Sequence, residues 1–310
     1  MARRGGADGP QGLVVIDKEA GWTSHDVVAK LRGLLGQRRT GHAGTLDPSA
    51  TGVLLVGLGR STRLLRFLTD TTKSYEGELE LGSTTTTLDA DGDVLERFAM
   101  DHVTPDDVHA RAQELTGELL QIPPMVSALK IDGQRLHALA RQGIEVEREP
   151  RAVRVDRFNV AATEHPDRYR FEVICSSGTY VRSLVDDLGR ALGGGAHLAL
   201  LRRTGVGAFG LADAHTLGEL AARLEASEGP HDLGEVILAP VEMLRGMARF
   251  VVDADGIARV RTGSSLSAPG LVGESGPVAV LDDEGSLLAV YRHAEEAELA
   301  AEVVLVGGGS

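Results

Sequence analysis

Gly41-His42-Ala43-Gly44-Thr45-Leu46-Asp47-Pro48-Ser49-Ala50-Thr51-Gly52 is the densest run of unusual residues in this 310-residue chain. Three glycines and a proline within twelve residues fix an irregular backbone, as functional loops often need. The run has no Gly-Lys-Ser/Thr ending and no internal lysine, so it is not a phosphate-cradling P-loop. His42 and Asp47 are possible metal ligands, but no paired His or carboxylate lies nearby at helical spacing, and no metal is expected. Composition alone favours an ornate turn in which Asp47 caps the segment that follows.

The flanks predict elements that would hold this loop. Leu13-Val14-Val15-Ile16 and Val53-Leu54-Leu55-Val56 are short apolar runs suited to buried strands. Between them, Thr23 and Asp26 form a capping box ahead of Val27, Val28, Leu31, Leu34 and Leu35, one apolar helical face closed by Gly36. Residues 37–51 read as loop, and Leu64 to Leu68 as a short helix. Tyr75–Leu81, 153–160 and Tyr169–Ile174 alternate as half-buried strands do. Helices are predicted after Thr104, over Gln134–Gln142, over Tyr180–Leu192 and over Leu217–Leu224. Beyond residue 245 the texture changes to short strands at 250–253, 258–260, 277–281 and 287–291, separated by Asp/Gly/Ser turns. The reading is an α+β chain: a body with a mixed, largely antiparallel sheet over 1–245, and a small all-β module over 246–310.

Two further stretches could carry chemistry. In Gly178-Thr179-Tyr180-Val181-Arg182 a strand passes into a helix, and an arginine one turn in can reach a carboxylate on a neighbouring loop, lowering its pKa. Equally, Arg182 could lie on the surface and pair with Asp186 four residues on. Tyr75, in Lys73-Ser74-Tyr75, is either strand packing or a flat ring beside an open site, able to stack on a nucleobase. His25, His137 and His197 stand alone and read as surface or packing residues. Cys175, the only cysteine, excludes an intramolecular disulfide and reads as buried and inert.

Charge first argues against a nucleic-acid partner: 45 acidic against 32 basic residues, net −13. By segment the picture changes. Residues 1–75 hold eleven Lys/Arg against six Asp/Glu, 76–125 hold two against twelve, and 211–310 hold six against seventeen. Basic excess falls in 1–75, 126–158 and 176–210, so a fold that gathers these could show a polyanion one basic face. Met-Ala-Arg-Arg is followed by no apolar run, and no 18-residue apolar stretch could span a bilayer, so a cytoplasmic protein without membrane contact is expected.

Taken together, these residues resemble the bacterial TruB-type tRNA pseudouridine-55 synthase family. The stretch from Gly41 to Leu54 looks like its catalytic-loop signature. Four more blocks agree in order and spacing: Asp17-Lys18 with Gly21 to Val28; Lys73-Ser74-Tyr75; Ile122-Pro123-Pro124 through Ser127 to Lys130 and Gly133; and Ser177 to Arg182 leading to Leu201-Arg202-Arg203-Thr204-Gly205. The resemblance spans residues 12–209. Lys18-Glu19 stands where the family often has Lys-Pro, and Met125-Val126 where many members carry an aromatic.

That family breaks the N1–C1′ bond of a tRNA T-loop uridine, turns the base and rejoins it through C5. The resemblance implies Asp47 as nucleophile, Arg182 as its partner, and Tyr75 as the ring that stacks on the flipped base and takes a sugar proton. It implies that His42 enters the helix stack where the uridine left, that Tyr180 and Leu201 line the pocket, and that Lys18 and Arg202 lie near the RNA. No cofactor, no metal and no obligatory protein partner are implied, and nothing demands more than a monomer. The C-terminal module resembles a PUA-like RNA-binding module only loosely. A non-catalytic tRNA-binding or tRNA-folding protein of the same fold is the alternative, and a guide-RNA-dependent synthase a more distant one.

Overall fold

The computed structural model describes residues 9–306, apart from 128–129, 132–133, 137–143, 145, 228, 230–232 and 296. β1 (Gly12–Lys18) leads into α1 (Ser24–Leu35), whose Thr23–Asp26 capping box and left-handed Gly36 stop stand where the sequence puts them. β2 (Thr40–Ala43) and β3 (Thr51–Leu58) enclose the glycine-rich loop, and a 3-10 turn and the single-turn α2 (Arg66–Thr69) connect to β4 (Lys73–Leu81). A hairpin of β5 (Ser83–Thr85) and β6 (Val94–Arg97) follows, then α3 (Pro105–Glu114) and β7 (Gly117–Gln121). β8 (Lys130–Ile131) and β9 (Gln134–Arg135) form a second small ladder. β10 (Arg151–Ala162), β11 (Arg168–Cys175), α4 (Val181–Ala191), β12 (Ala196–Val206), β13 (Phe209–Gly210) and α5 (Leu217–Glu225) complete the body.

The large sheet runs β1-β3-β12-β4-β11-β10-β7, with β2 on β3 and β13 on β12. β3 and β12 are parallel; every other ladder is antiparallel. β11 shows why one face is covered. Its odd positions Tyr169, Phe171, Val173 and Cys175 point inward against Leu184, Leu188 and Val108 of α4 and α3, while Arg168, Arg170 and Glu172 point out. On the β1–β3 side, Val14, Ile16, Leu54 and Val56 pack against α1 and α5.

A second sheet, β14-β16-β17-β18-β15, is built from β14 (Ala248–Val251), β15 (Leu266–Ser267), β16 (Pro277–Leu281), β17 (Leu287–Glu295) and β18 (Glu298–Val304). It shares one hydrophobic cluster with the body: Leu13, Val15 and Leu55 meet Ala279, Val290 and Val303.

Three local expectations differ. Thr40–Ala43, read as loop, is a strand: Thr40 and Ala43 are buried and the backbone pairs with β3, which its polar composition hides. Gln134–Arg135 is a strand where a helix is predicted, and most of that predicted helix lies outside the described residues. Residues 258–260 belong to α6 (Ala254–Thr262): the Asp253 side chain accepts from the Gly256 N–H, Gly263 closes in the left-handed region, and Gly256 and Val260 turn inward one helical turn apart.

Candidate active site

The loop after β2 is held by buried groups on both sides. Ser24, at the start of α1, accepts from the Leu46 N–H at 2.9 Å and donates to the Leu46 carbonyl at 3.2 Å. Lys18, at the end of β1, donates to the carbonyls of Trp22 (2.8 Å), Glu19 (3.1 Å) and Pro48 (3.2 Å). From the other side Arg203 of β12 donates to Val53 (2.7 Å), Gly44 (3.2 Å) and Thr45 (3.4 Å) carbonyls. Lys18, expected near the RNA, is thus bound to the backbone of this loop. It is 1 % exposed, its ammonium serves the loop backbone, and burial pulls its pKa down to about 8.

At the crest of this loop Asp47 meets Arg182, Nη2 to Oδ2, at 2.9 Å. The guanidinium is 5 % exposed and also faces Asp89 Oδ2 at 3.4 Å. It donates to the carbonyls of Thr87 and Val126 at 2.9 and 2.8 Å. Arg182 thus pairs with the loop, while Asp186 takes Arg190 at 2.8 Å. The net effect on Asp47 differs from the expectation of a lowered pKa. Burial raises its carboxyl above the ordinary range; Arg182 draws it back and Asp89 pushes it up again.

These groups open onto a cleft of about 450 Å³ lined by Asp47, Tyr75, Tyr180, Arg182, Leu201 and Arg203. Tyr75 arrives from β4, Tyr180 from the turn that starts α4, and Leu201 from β12. The Tyr75 phenol is raised by burial. Five of the eight expected site residues therefore share one cavity.

The other three, Lys18 beneath the loop together with His42 and Arg202, lie elsewhere. His42 stands on β2, edge-on to His25 with ring centroids 5.4 Å apart, and burial followed by His25 keeps it neutral at pH 7. Arg202 faces the opposite side of β12, bound to Asp17 at 2.6 Å, and lines a neighbouring groove with Glu76 and Arg170. Cys175 is buried as expected, its thiol pushed up to about 11.

Arg203, Asp89 and Lys73 belong to the site without having been singled out. Arg203 lies within a quoted motif, but nothing local distinguishes it from Arg202 beyond strand alternation. Asp89 sits in an acidic turn, and only the folded chain brings it to Arg182. Among the described residues no group of three His, Cys, Asp or Glu could hold a metal ion.

Two family models match in tandem: the TruB family pseudouridylate synthase N-terminal domain over residues 32–181, and the tRNA pseudouridylate synthase B C-terminal domain over 182–245. The chain is 45% identical over 306 residues to tRNA pseudouridine synthase B of Thermobifida fusca, covering 96% of this chain and 99% of that protein. It is 45% identical over 289 residues to that of Mycobacterium tuberculosis, covering 92% and 93%. Among solved structures, a chain of a Cbf5-Nop10-Gar1 complex superposes with a TM-score of 0.73 at 27% identity, covering 94% of this chain and 83% of that one.

Proposed function

The chain belongs to the TruB family of pseudouridylate synthases, and from that premise we propose that its Asp47 cleft isomerises uridine 55 in the T-loop of tRNA to pseudouridine. The observation that carries the reading is the 2.9 Å contact between Asp47 and the buried Arg182 at the cleft floor. Burial raises the pKa of this carboxyl and the guanidinium opposes that rise, favouring the anion that a nucleophile needs.

The reaction is redox-neutral. The N1–C1′ bond breaks, the C1′–C5 bond forms, C5 loses its proton and N1 gains one, so protein groups alone balance it and no cofactor is called for. Uridine must leave its stack to reach the cleft, at a cost of a few kcal/mol that is least for a base already strained in a loop. Tyr75 offers a ring face and a hydroxyl to the flipped nucleotide, Tyr180 and Leu201 enclose the base, and His42 on β2 fills the space it vacates. A neutral imidazole suits that stacking role. Arg202 lies across β12 from the cleft, toward the flanking nucleotides. The enzyme works alone, as a cytoplasmic monomer, with the body ending near residue 245 and a PUA-like module after it.

The test is incubation of the purified protein, without partners, with an unmodified tRNA transcript, followed by pseudouridine mapping. One modified position, the T-loop uridine, is expected; absence of product there overturns the reading. Asp47→Asn should lower turnover by on the order of a thousandfold or more, with tRNA affinity retained. Turnover near wild type would remove Asp47 from the nucleophile's role.

A further inference from the structure

Arg203 is the largest fully buried side chain described, 1 % exposed, and no carboxylate pairs with it among the described residues. An unpaired buried cation is costly to keep, so what surrounds it identifies its use. Three acceptors are carbonyls at the two ends of one loop: Gly44 and Thr45 before Asp47, Val53 after it. On the other side, Tyr75 of β4 is its directly opposed neighbour.

The backbone explains this convergence. β12 lies between β3 and β4, and Arg203 is the residue directly opposite both Gly52 on β3 and Tyr75 on β4. Directly opposed residues on adjacent strands share a sheet face, so the guanidinium and the phenol are cross-strand neighbours by register. The contact with β3 is tight: a Cβ on Gly52 would lie 2.2 Å from the Arg203 carbonyl oxygen. One residue thus touches the strand that closes the Asp47 loop and the strand that presents Tyr75.

We propose that Arg203 is a positioning residue of the isomerisation, a clamp that holds the Asp47 loop and the Tyr75 hydroxyl at one fixed separation across the cleft. The proposal rests on the functional reading above. Its chemistry requires arginine, because a planar fork with five N–H donors can serve three carbonyls in different directions and still face the phenol beside it, whereas an ammonium is a single point with three. The charge has a second effect: burial makes the Tyr75 phenol harder to ionise, and the adjacent guanidinium opposes that.

Two variants separate fork from charge. In Arg203→Gln, kcat should fall by about ten- to a hundredfold with KM for tRNA within about threefold. In the same variant the Tyr75 phenol should ionise at higher pH than in the wild type, read by NMR of ¹³C-labelled tyrosine. Tyr75→Phe identifies its signal among the four tyrosines. Arg203→Lys should restore the tyrosine titration toward wild type while kcat stays low. A Tyr75 titration unmoved in Arg203→Gln, or a raised KM with unchanged kcat, would overturn the proposal.

Should neither variant fold by circular dichroism, wild type against Tyr75→Phe decides. The Arg203 Nε–H resonance should shift when the hydroxyl is removed, and an unshifted resonance counts against the clamp. The NMR arms need no RNA, so they read the Arg203–Tyr75 contact even if mapping shows no pseudouridine, an outcome that would overturn the functional reading itself.

Discussion

Asp47 is pulled in two directions, and the balance predicts how the enzyme responds to acid. Burial raises its pKa above the ordinary 3.8, Arg182 lowers it, and the neighbouring Asp89 raises it again. A carboxylate with a raised pKa is protonated while the pH is still above the usual range. The acid limb of kcat against pH should therefore lie above that of an ordinary aspartate, with rate lost as pH falls through it. Asp89→Asn removes a like charge and frees Arg182 to serve Asp47 alone, so the limb should move to lower pH, with a smaller kcat because the guanidinium loses an anchor. A pH profile of single-turnover rates measures both, and a limb that stays in place would show that Asp89 does not act on Asp47. At this scale the pairing of Asp47 with Arg182 was legible only through the family resemblance, since residue type and position left Asp186 an equal partner for Arg182. The sign of the net shift was not, because burial is contributed by residues far apart in the chain. The burial of Lys18 was hidden for the same reason: the loop that covers it lies thirty residues away in the chain.

At the scale of elements, the Asp47 loop is held at both ends, and its glycines show how tightly. Gly52 has φ +98 and a Cβ there would collide with the Arg203 backbone, whereas Gly36 has φ +62 and open space around it. Gly36→Ala should cost about 1 kcal/mol, the penalty of a left-handed alanine. Gly52→Ala adds a backbone clash and should cost about 3 kcal/mol or more, and it should also lower kcat by displacing the loop that carries Asp47. Urea unfolding of the two variants side by side measures the difference; equal losses would mean that β3 and β12 separate easily. Elements with local signals were legible, among them the helices capped by Thr23 and Thr104 and the alternating strands β10 and β11. β2 was hidden because it has few apolar residues and exists only as an edge against β3. α6 reads as a strand over 258–260 because its few apolar residues are short of a helical stripe, and only its Asp253 cap and Gly263 stop mark it as a helix.

For the whole molecule, the partition of charge decides how an acidic protein could hold tRNA. β12 sits between β3 and β4, so the basic segments 1–75 and 176–210 are interleaved in one part of the sheet. Their formal excess overstates what is free for phosphate. Arg60 and Arg63 donate to the carbonyls of Leu305 and Val304, and Arg66 pairs with Glu302 at 2.8 Å, so these three fasten β18 to the body. Arg38 and Arg39 differ: both are exposed, immediately before β2 and its His42. If tRNA lies over the cleft, affinity should fall as salt rises despite the net charge of −13, because the contacts are local and counterions are released locally. Replacing Arg38 and Arg39 by alanine should reduce the slope of log Kd against log salt by about one per lost phosphate contact and leave single-turnover kcat at saturating tRNA nearly unchanged. Filter binding at several salt concentrations measures the slope. An unaltered slope would place the phosphate backbone on another face, and would leave the basic excess of the N-terminal quarter as a device for holding the C-terminal sheet.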